Sequence, residues 1–216
     1  MRLIAWLAIV LFATLAGAGV VVAPATETAV LSAGCFWCVE ADLSRQPGVL
    51  DVETGYAGGS LEDPTFRAVV SGTSGHVLAV RVTFDPAATT YDRLLVAYFL
   101  AMDPTDAGGQ ACERGRAYAA TVFYVDGTQQ AAAGRMKARA TEVLGRPVTV
   151  ALRPAGRFWK AEEQYQDYAV KNPLRYDYYR RACGRDARVR EVWKGGGVAM
   201  AGGLPLPGED ATGRPQ

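Results

Sequence analysis

The sequence predicts an α/β (α+β) two-layer sandwich: a mixed sheet with flanking helices and a long irregular C-terminal wrap. Two observations lead there. Short runs of alternating or β-branched residues interleave with stripes of helical period, and the helices fall between the strands rather than in a block of their own.

The first element, Thr28 to Ala33, is a short apolar run that ends at Gly34. Cys35 to Arg45 follows with helical spacing until Pro47-Gly48 closes it, giving strand, turn and helix. Val49 to Tyr56 and His76 to Phe84 alternate and read as strands. Tyr91, Leu94, Leu95, Tyr98 and Phe99 recur at i, i+3, i+4, i+7 and i+8, one apolar stripe of a helix. Ala119 to Val125 is β-rich, Thr128 to Leu144 is an Ala-rich helix stopped by Gly145, and Val148 to Leu152 is a further strand. The segment Asp103 to Ala117 is long and polar for a connection in such a unit, and it carries Cys112 and Glu113; loops of this kind concentrate function. Arg157 to Tyr179 is crowded with aromatic residues that suit cover for a sheet.

A chain of 216 residues that is half apolar, a tenth aromatic and 21% charged has the balance of a folded domain. Its 23 basic and 22 acidic side chains produce no overall field to draw it onto nucleic acid. From Leu3 to Thr26 no charged residue appears, so residues 1–26 read as an export element. Ala16 and Ala18 form an A-x-A cleavage signal, which favours a signal peptide, whereas the length of the run also suits a membrane anchor. Either places the domain outside the cytosol, periplasmic or secreted, and membrane contact is expected only if the segment is retained. Gly195 to Gly197, Gly202-Gly203, Pro205 and Pro207 read as a flexible tail. The expected division is therefore 1–26, a catalytic domain over 27–190, and a tail over 191–216.

The single histidine, His76, rules out a Ser-His-Asp triad combined with any His-rich metal set, and reads as a structural residue ahead of its strand. The four cysteines stand at 35, 38, 112 and 183, with two in a C-x-x-C pair. That motif serves structural zinc, a thioredoxin-like redox pair or a structural disulfide; no second C-x-x-C or C-x-x-H is present to complete a zinc site, and i to i+3 within one helix is awkward for a disulfide. In Gly34-Cys35-Phe36-Trp37-Cys38-Val39-Glu40, Cys35 stands where a strand passes into a helix, and the helix N-terminus there favours thiolate. Cys35 is the natural nucleophile, and Cys38, one turn along, is placed to reach a sulfenic acid formed on it.

The chain resembles the peptide methionine sulfoxide reductases of the A type. The resemblance covers about residues 28–176 and rests on GCFWCVE from Gly34, Gly55-Tyr56-Ala57-Gly58-Gly59, Asp63-Pro64-Thr65-Phe66, Ser71-Gly72-Thr73-Ser74-Gly75-His76, Phe84-Asp85-Pro86, Asp103-Pro104-Thr105, Ala161-Glu162-Glu163, Gln166-Asp167-Tyr168 and Lys171-Asn172-Pro173. It implies reduction of the S epimer of methionine sulfoxide, free or in proteins, by attack of a cysteine on the sulfoxide sulfur. Cys35 matches that cysteine, and Phe36 and Trp37 match the aromatic pair that receives the substrate methyl.

Several positions depart from the family pattern. Leu78 stands where the family has its glutamate and Phe66 where it has a tyrosine, so Phe66 remains on the substrate-binding side without a hydroxyl. Tyr118 matches the second tyrosine, and Glu113 replaces the family's aspartate. Met102 and Tyr165 replace histidines. Glu113 is the candidate acid for the leaving oxygen, with a pKa expected to rise on burial beside Phe36, Trp37 and Phe66; a solvated loop carboxylate is the plainer alternative. Cys183 is a candidate recycling thiol and Cys112 reads either as a group facing the site or as an inert buried thiol. The resemblance implies no cofactor and no metal, an external thioredoxin-like dithiol, and a monomer acting on oxidised proteins or methionine sulfoxide in protein repair under oxidative stress. Two rivals remain: a thiol oxidoreductase reduced to disulfide exchange, and a methionine-binding module without chemistry.

Overall fold

The computed structural model describes residues 25–197 and residue 200. Most of the expected export element and residues 201–216 of the expected tail lie outside these. Among the described residues, no helix is long and apolar enough to cross a membrane.

The strands β1 (Glu27–Ser32), β2 (Val49–Ala57), β3 (Val77–Phe84), β6 (Thr121–Tyr124), β7 (Ala151–Pro154) and β8 (Trp159–Lys160) form one sheet in the order β7-β6-β1-β3-β2-β8. The β6–β7 pair is parallel and the other pairs are antiparallel, so the sheet is mixed. Side-chain alternation decides the layering. Leu78, Val80, Val82 and Phe84 of β3 and Ala29 and Leu31 of β1 face the main core, while Val77, Ala79 and Val30 face a smaller cluster with Phe123. Helices α1 (Phe36–Leu43), α3 (Tyr91–Leu100) and α4 (Gly127–Leu144) supply the other half of the main core through Phe36, Leu43, Leu94, Tyr98, Ala133 and Met136. Each fully buried Leu or Phe there contributes about 1.5–3 kcal/mol.

Local chemistry sets the helix ends. Thr90 and Asp126 cap α3 and α4 by accepting from the N–H groups of Arg93 and Gln129, and Gly145, at φ +62°, stops α4. The expected strand at Val148 to Leu152 starts late because the Thr149 N–H donates to the Pro104 carbonyl, which takes it out of the ladder. β8 was not expected: the aromatic segment adds Trp159 beside Tyr56, and Gly55 permits it, since a Cβ there would lie 2.3 Å from the Trp159 carbonyl oxygen.

The C-terminal wrap is more regular than its sequence suggests, with α5 (Tyr168–Lys171), α6 (Pro173–Cys183) and α7 (Arg185–Val192). Helix α7 continues past the boundary expected at residue 190. Val192 and Trp193 are buried, and the Trp193 indole N–H lies 3.1 Å from the Phe99 carbonyl oxygen and 3.0 Å from that of Met102, closing the C-terminal end of α3. The glycines after it suggested a tail because a single buried Trp leaves no periodic signal. His76 is structural: its Nδ1 accepts from the Gly59 N–H and its Nε2 donates to the Leu61 carbonyl.

Candidate active site

Three segments converge on the β1–α1 turn. Gly34, at φ +75°, turns the chain, and a Cβ there would lie 2.6 Å from the Cβ of Gln110 and 3.0 Å from Oε2 of Glu113. Glycine therefore admits the second segment to the site. Cys35 is the N-cap of α1 and its carbonyl accepts from the N–H groups of Cys38 and Val39, at 3.1 Å each.

The second segment is the polar loop, which folds into a hairpin of β4 (Gly109–Gln110) and β5 (Glu113–Arg114) with a short 3-10 turn over Arg116–Tyr118. Gln110 fixes the hairpin through both ends of its amide, accepting from the Asp103 N–H and donating to the Asp103 carbonyl. Glu113 accepts a hydrogen bond from the Tyr179 hydroxyl and also receives the backbone N–H and thiol of Cys35. Burial raises its pKa above the usual carboxylate range, against the pull of Tyr179, the Arg185 charge and the Cys35 donors. The direction is the expected one. Burial also raises the Tyr118 hydroxyl, which is near enough for the charges on Glu113 and Cys35 to raise it further.

The third segment is the C-terminal wrap. The Glu40 carboxylate accepts from the N–H groups of Asp167 and Tyr168, at 2.8 and 3.1 Å, and Gln166 bonds both backbone groups of Thr54. Tyr168 then stacks on Trp37 with ring centroids 3.9 Å apart. Phe36, Trp37 and Phe66 do come together: Phe66 lies 5.8 Å from Phe36 and stacks on Trp37 at 6.4 Å, with Tyr165 4.8 Å from Phe66. Glu162 orders this wall by accepting from the Tyr56 hydroxyl and the Phe66 N–H. Leu78, at the family's glutamate position, is core, as is Met102.

The structure reverses the expected thiolate at Cys35. Cys35 and Cys38 are free thiols and only 3% and 1% exposed. Burial pushes the Cys35 thiol well up; Cys38 and the charge of Glu113 add to this, and the Cys38 N–H opposes it. Cys38 is lowered, first by the hydrogen bond from Cys35 and then, against burial, by Arg185 and Arg180. A helix N-terminus favours thiolate only while the sulfur keeps some solvation, which the wrap removes.

The other two cysteines pair with each other. Cys112 is exposed, so of its two readings the inert buried thiol does not hold, and it is joined to Cys183 by a disulfide, with Cα atoms 5.0 Å apart. Sequence reading also missed Tyr179 and Arg185. Tyr179 was one of many aromatics, and Arg185 is a buried side chain that holds the carbonyls of Ala33 and Ala101 at 2.9 Å each. Among the described residues no group of three or more His, Cys, Asp or Glu is arranged to hold a metal.

A family model described as peptide methionine sulfoxide reductase matches residues 27–196, a span that contains all three segments. The chain belongs to this family. A peptide methionine sulfoxide reductase MsrA 2 of Caulobacter vibrioides is 47% identical over 194 residues, covering 90% of this chain and 99% of the relative. An MsrA of Bacillus licheniformis is 41% identical over 169 residues, covering 77% of this chain and 93% of the relative. Among solved structures, methionine sulfoxide reductase A of Corynebacterium diphtheriae matches with a TM-score of 0.63 at 30% identity, covering 70% of this chain and 77% of that one. The reductase fold and thiol-dependent reduction of methionine sulfoxide follow for this chain.

Proposed function

We propose that Cys35 is the nucleophile, that Glu113 with Tyr118 serves the leaving oxygen, and that Cys38 resolves the product. One observation carries this reading: the raised Glu113 carboxyl lies against the Cys35 thiol, beside the cluster of Phe36, Trp37 and Phe66. A buried thiol held protonated needs a base at the moment of attack, and a sulfoxide oxygen needs an acid as its S–O bond breaks. Glu113 supplies both: in its protonated form it gives its proton to the oxygen and takes the Cys35 proton in its place. Cys35 sulfur then bonds the sulfoxide sulfur, the protonated oxygen leaves as its S–O bond breaks, and it adds as water to the Cys35 sulfur while the S–S bond breaks, so that the products are the sulfide and a Cys35 sulfenic acid. The Cys38 thiol displaces hydroxide as water to give the Cys35–Cys38 disulfide. A dithiol of the thioredoxin class returns both to thiols and leaves as a disulfide.

The aromatic cluster suits the S-methyl of oxidised methionine, free or in proteins, and the reading extends to protein repair by a monomer. The uncharged stretch from Leu3 to Thr26 supports export, with the catalytic domain beyond it acting in an extracytoplasmic compartment, released or anchored.

The test is dithiothreitol-driven turnover of each methionine sulfoxide epimer by the purified full chain. The S epimer is expected to be consumed and the R epimer spared. Disulfide exchange without sulfoxide turnover favours the oxidoreductase rival instead, and binding of methionine sulfoxide without any turnover favours a recognition module. Sequencing the N-terminus of the exported protein separates cleavage after Ala18 from anchoring.

A further inference from the structure

The reaction above makes no use of the Cys112–Cys183 disulfide, although its place in the fold is specific. Cys112 immediately precedes Glu113, and Cys183 lies one helical turn beyond Tyr179 on α6. The bridge thus ties together the two segments that the Glu113–Tyr179 hydrogen bond joins on the inside. The Cys112 N–H also points at the Cys183 sulfur, at 3.2 Å.

The bridge's neighbours leave this end of both segments lightly held, although Gln110 ties the start of the hairpin to Asp103 and Arg180 of α6 pairs with Asp42 at 2.8 Å. The hairpin has two residues in each strand, and Ala111 at its turn sits at φ +51°, a conformation that costs a non-glycine residue roughly 1–2 kcal/mol. On α6 only Tyr176 is buried, while Leu174 and Tyr178 are 85% and 73% exposed. An open cavity of about 360 Å³, lined by Cys112, Arg175, Tyr178, Tyr179, Ala182 and Cys183, lies beside the bridge. Thiols in solution can therefore reach it.

We propose that the Cys112–Cys183 disulfide is a positioning group for sulfoxide reduction: closed, it holds the Glu113 carboxyl against Tyr179 and Cys35, and opened by a dithiol, it releases that carboxyl and slows the reaction. The inference rests on the assignment of Glu113 as the acid. Opening is ordinary exchange: a dithiol thiolate attacks one sulfur to give a mixed disulfide, and its second thiol then displaces the protein. Cys112 and Cys183 leave as thiols and the dithiol as a disulfide.

The experiment is a single turnover of methionine sulfoxide by the full chain without added reductant, with Cys35 titrated as free thiol and the bridge verified by mass mapping. The double variant Cys112→Ser/Cys183→Ser is compared with the parent. Its first turnover is expected to slow by about 10- to 100-fold, the scale set by a loosened catalytic group. Its rate is also expected to fall at lower pH than the parent's, because a carboxyl returned to water loses the burial that raises its pKa. A bridge that only stabilised the fold would lower the melting temperature and leave the pH profile in place. Brief reduction of the parent, removal of the dithiol and later reoxidation provide the same comparison without substitution and decide the matter if the double variant does not fold. Parent-like rate and pH profile in the opened protein overturn the proposal. Glu113→Gln separates the two readings. If it is as fast as the parent, the acid assignment itself fails; if it is slow while the opened protein is fast, the positioning role alone fails. Opening the bridge in the Glu113→Gln background is expected to add no further slowing, and an equal slowing there also overturns the role.

Discussion

The two cysteine pairs of this chain occupy opposite environments. Cys35 and Cys38 are three residues apart, almost dry and unbridged, whereas Cys112 and Cys183 are 71 residues apart and bridged at the surface. Closeness in sequence is therefore a poor guide to which sulfurs are joined. Within a regular first helical turn the geometry of positions i and i+3 is awkward for a bond, and the pair is unbridged. Two distant segments can instead bring their Cβ atoms together without bending a helix.

The sharpest way to break this comparison is Cys35→Ser. All sulfoxide reduction is expected to vanish, because a serine hydroxyl does not ionise in this pocket at any working pH. The serine pair at 112 and 183 is expected to keep a measurable first turnover. Activity retained without Cys35 would move the nucleophile elsewhere.

Glu113→Gln comes next. It is expected to slow the first turnover by about 10²–10⁴-fold, the usual contribution of a positioned acid or base, with the fold intact by circular dichroism. In the parent, burial raises the Glu113 pKa, so the rate that depends on its proton declines as pH rises through that raised value. The decline is expected to disappear in the glutamine variant. Leu78→Glu returns a carboxyl to the family's position, and in the Glu113→Gln background a partial recovery of rate is expected. Its cost is roughly 1–3 kcal/mol of stability for an unpaired polar group in the core, readable by denaturant titration. Stability loss without recovered rate would show that position 78 no longer faces the oxygen.

Cys38→Ser has a smaller effect on chemistry. The first turnover is expected to survive and steady cycling to fall by about tenfold or more, since the sulfenic acid loses a thiol held at high effective concentration. Unchanged cycling would make an external thiol the resolver, and mass mapping of the oxidised protein would identify the adduct.

Much of this site was legible in the sequence, for a physical reason that also marks where legibility ended. Cys35, Cys38, Phe36 and Trp37 lie within one turn of helix, so local spacing exposed them. Glu113 and Tyr118 were legible because the resemblance supplied their positions. Tyr179, Arg185 and the Cys112–Cys183 bridge depend on contacts across long stretches of chain, which no periodicity records. The protonation of Cys35 was misread for the same reason: a helix N-terminus is visible locally, while the burial that outweighs it comes from the C-terminal wrap. The interleaved strands and helices were likewise plain from alternation, whereas β8 adds to the sheet through two residues that carry no strand pattern of their own.

The wrap over the buried pair suggests the gentlest test, because its tie differs in kind from the surface bridge. Glu40, on α1, holds the start of α5 through the N–H groups of Asp167 and Tyr168. Burial raises its pKa from the ordinary 4.5 to about 7, although those two donors lower it. The folded state therefore binds a proton more tightly than the unfolded chain. That contribution to stability is complete below about pH 4.5, drains away as pH rises toward 7, and is lost above it. Glu40→Gln removes the titration while keeping one acceptor for the wrap. The melting temperature of the parent relative to Glu40→Gln is expected to decline between pH 4.5 and 7 and to level off beyond. Reducing agent is expected to leave this difference unchanged, since the tie is a proton's and not a sulfur's. Parallel melting curves across that range would mean that Glu40 stays charged beneath the wrap, with its two N–H donors outweighing burial.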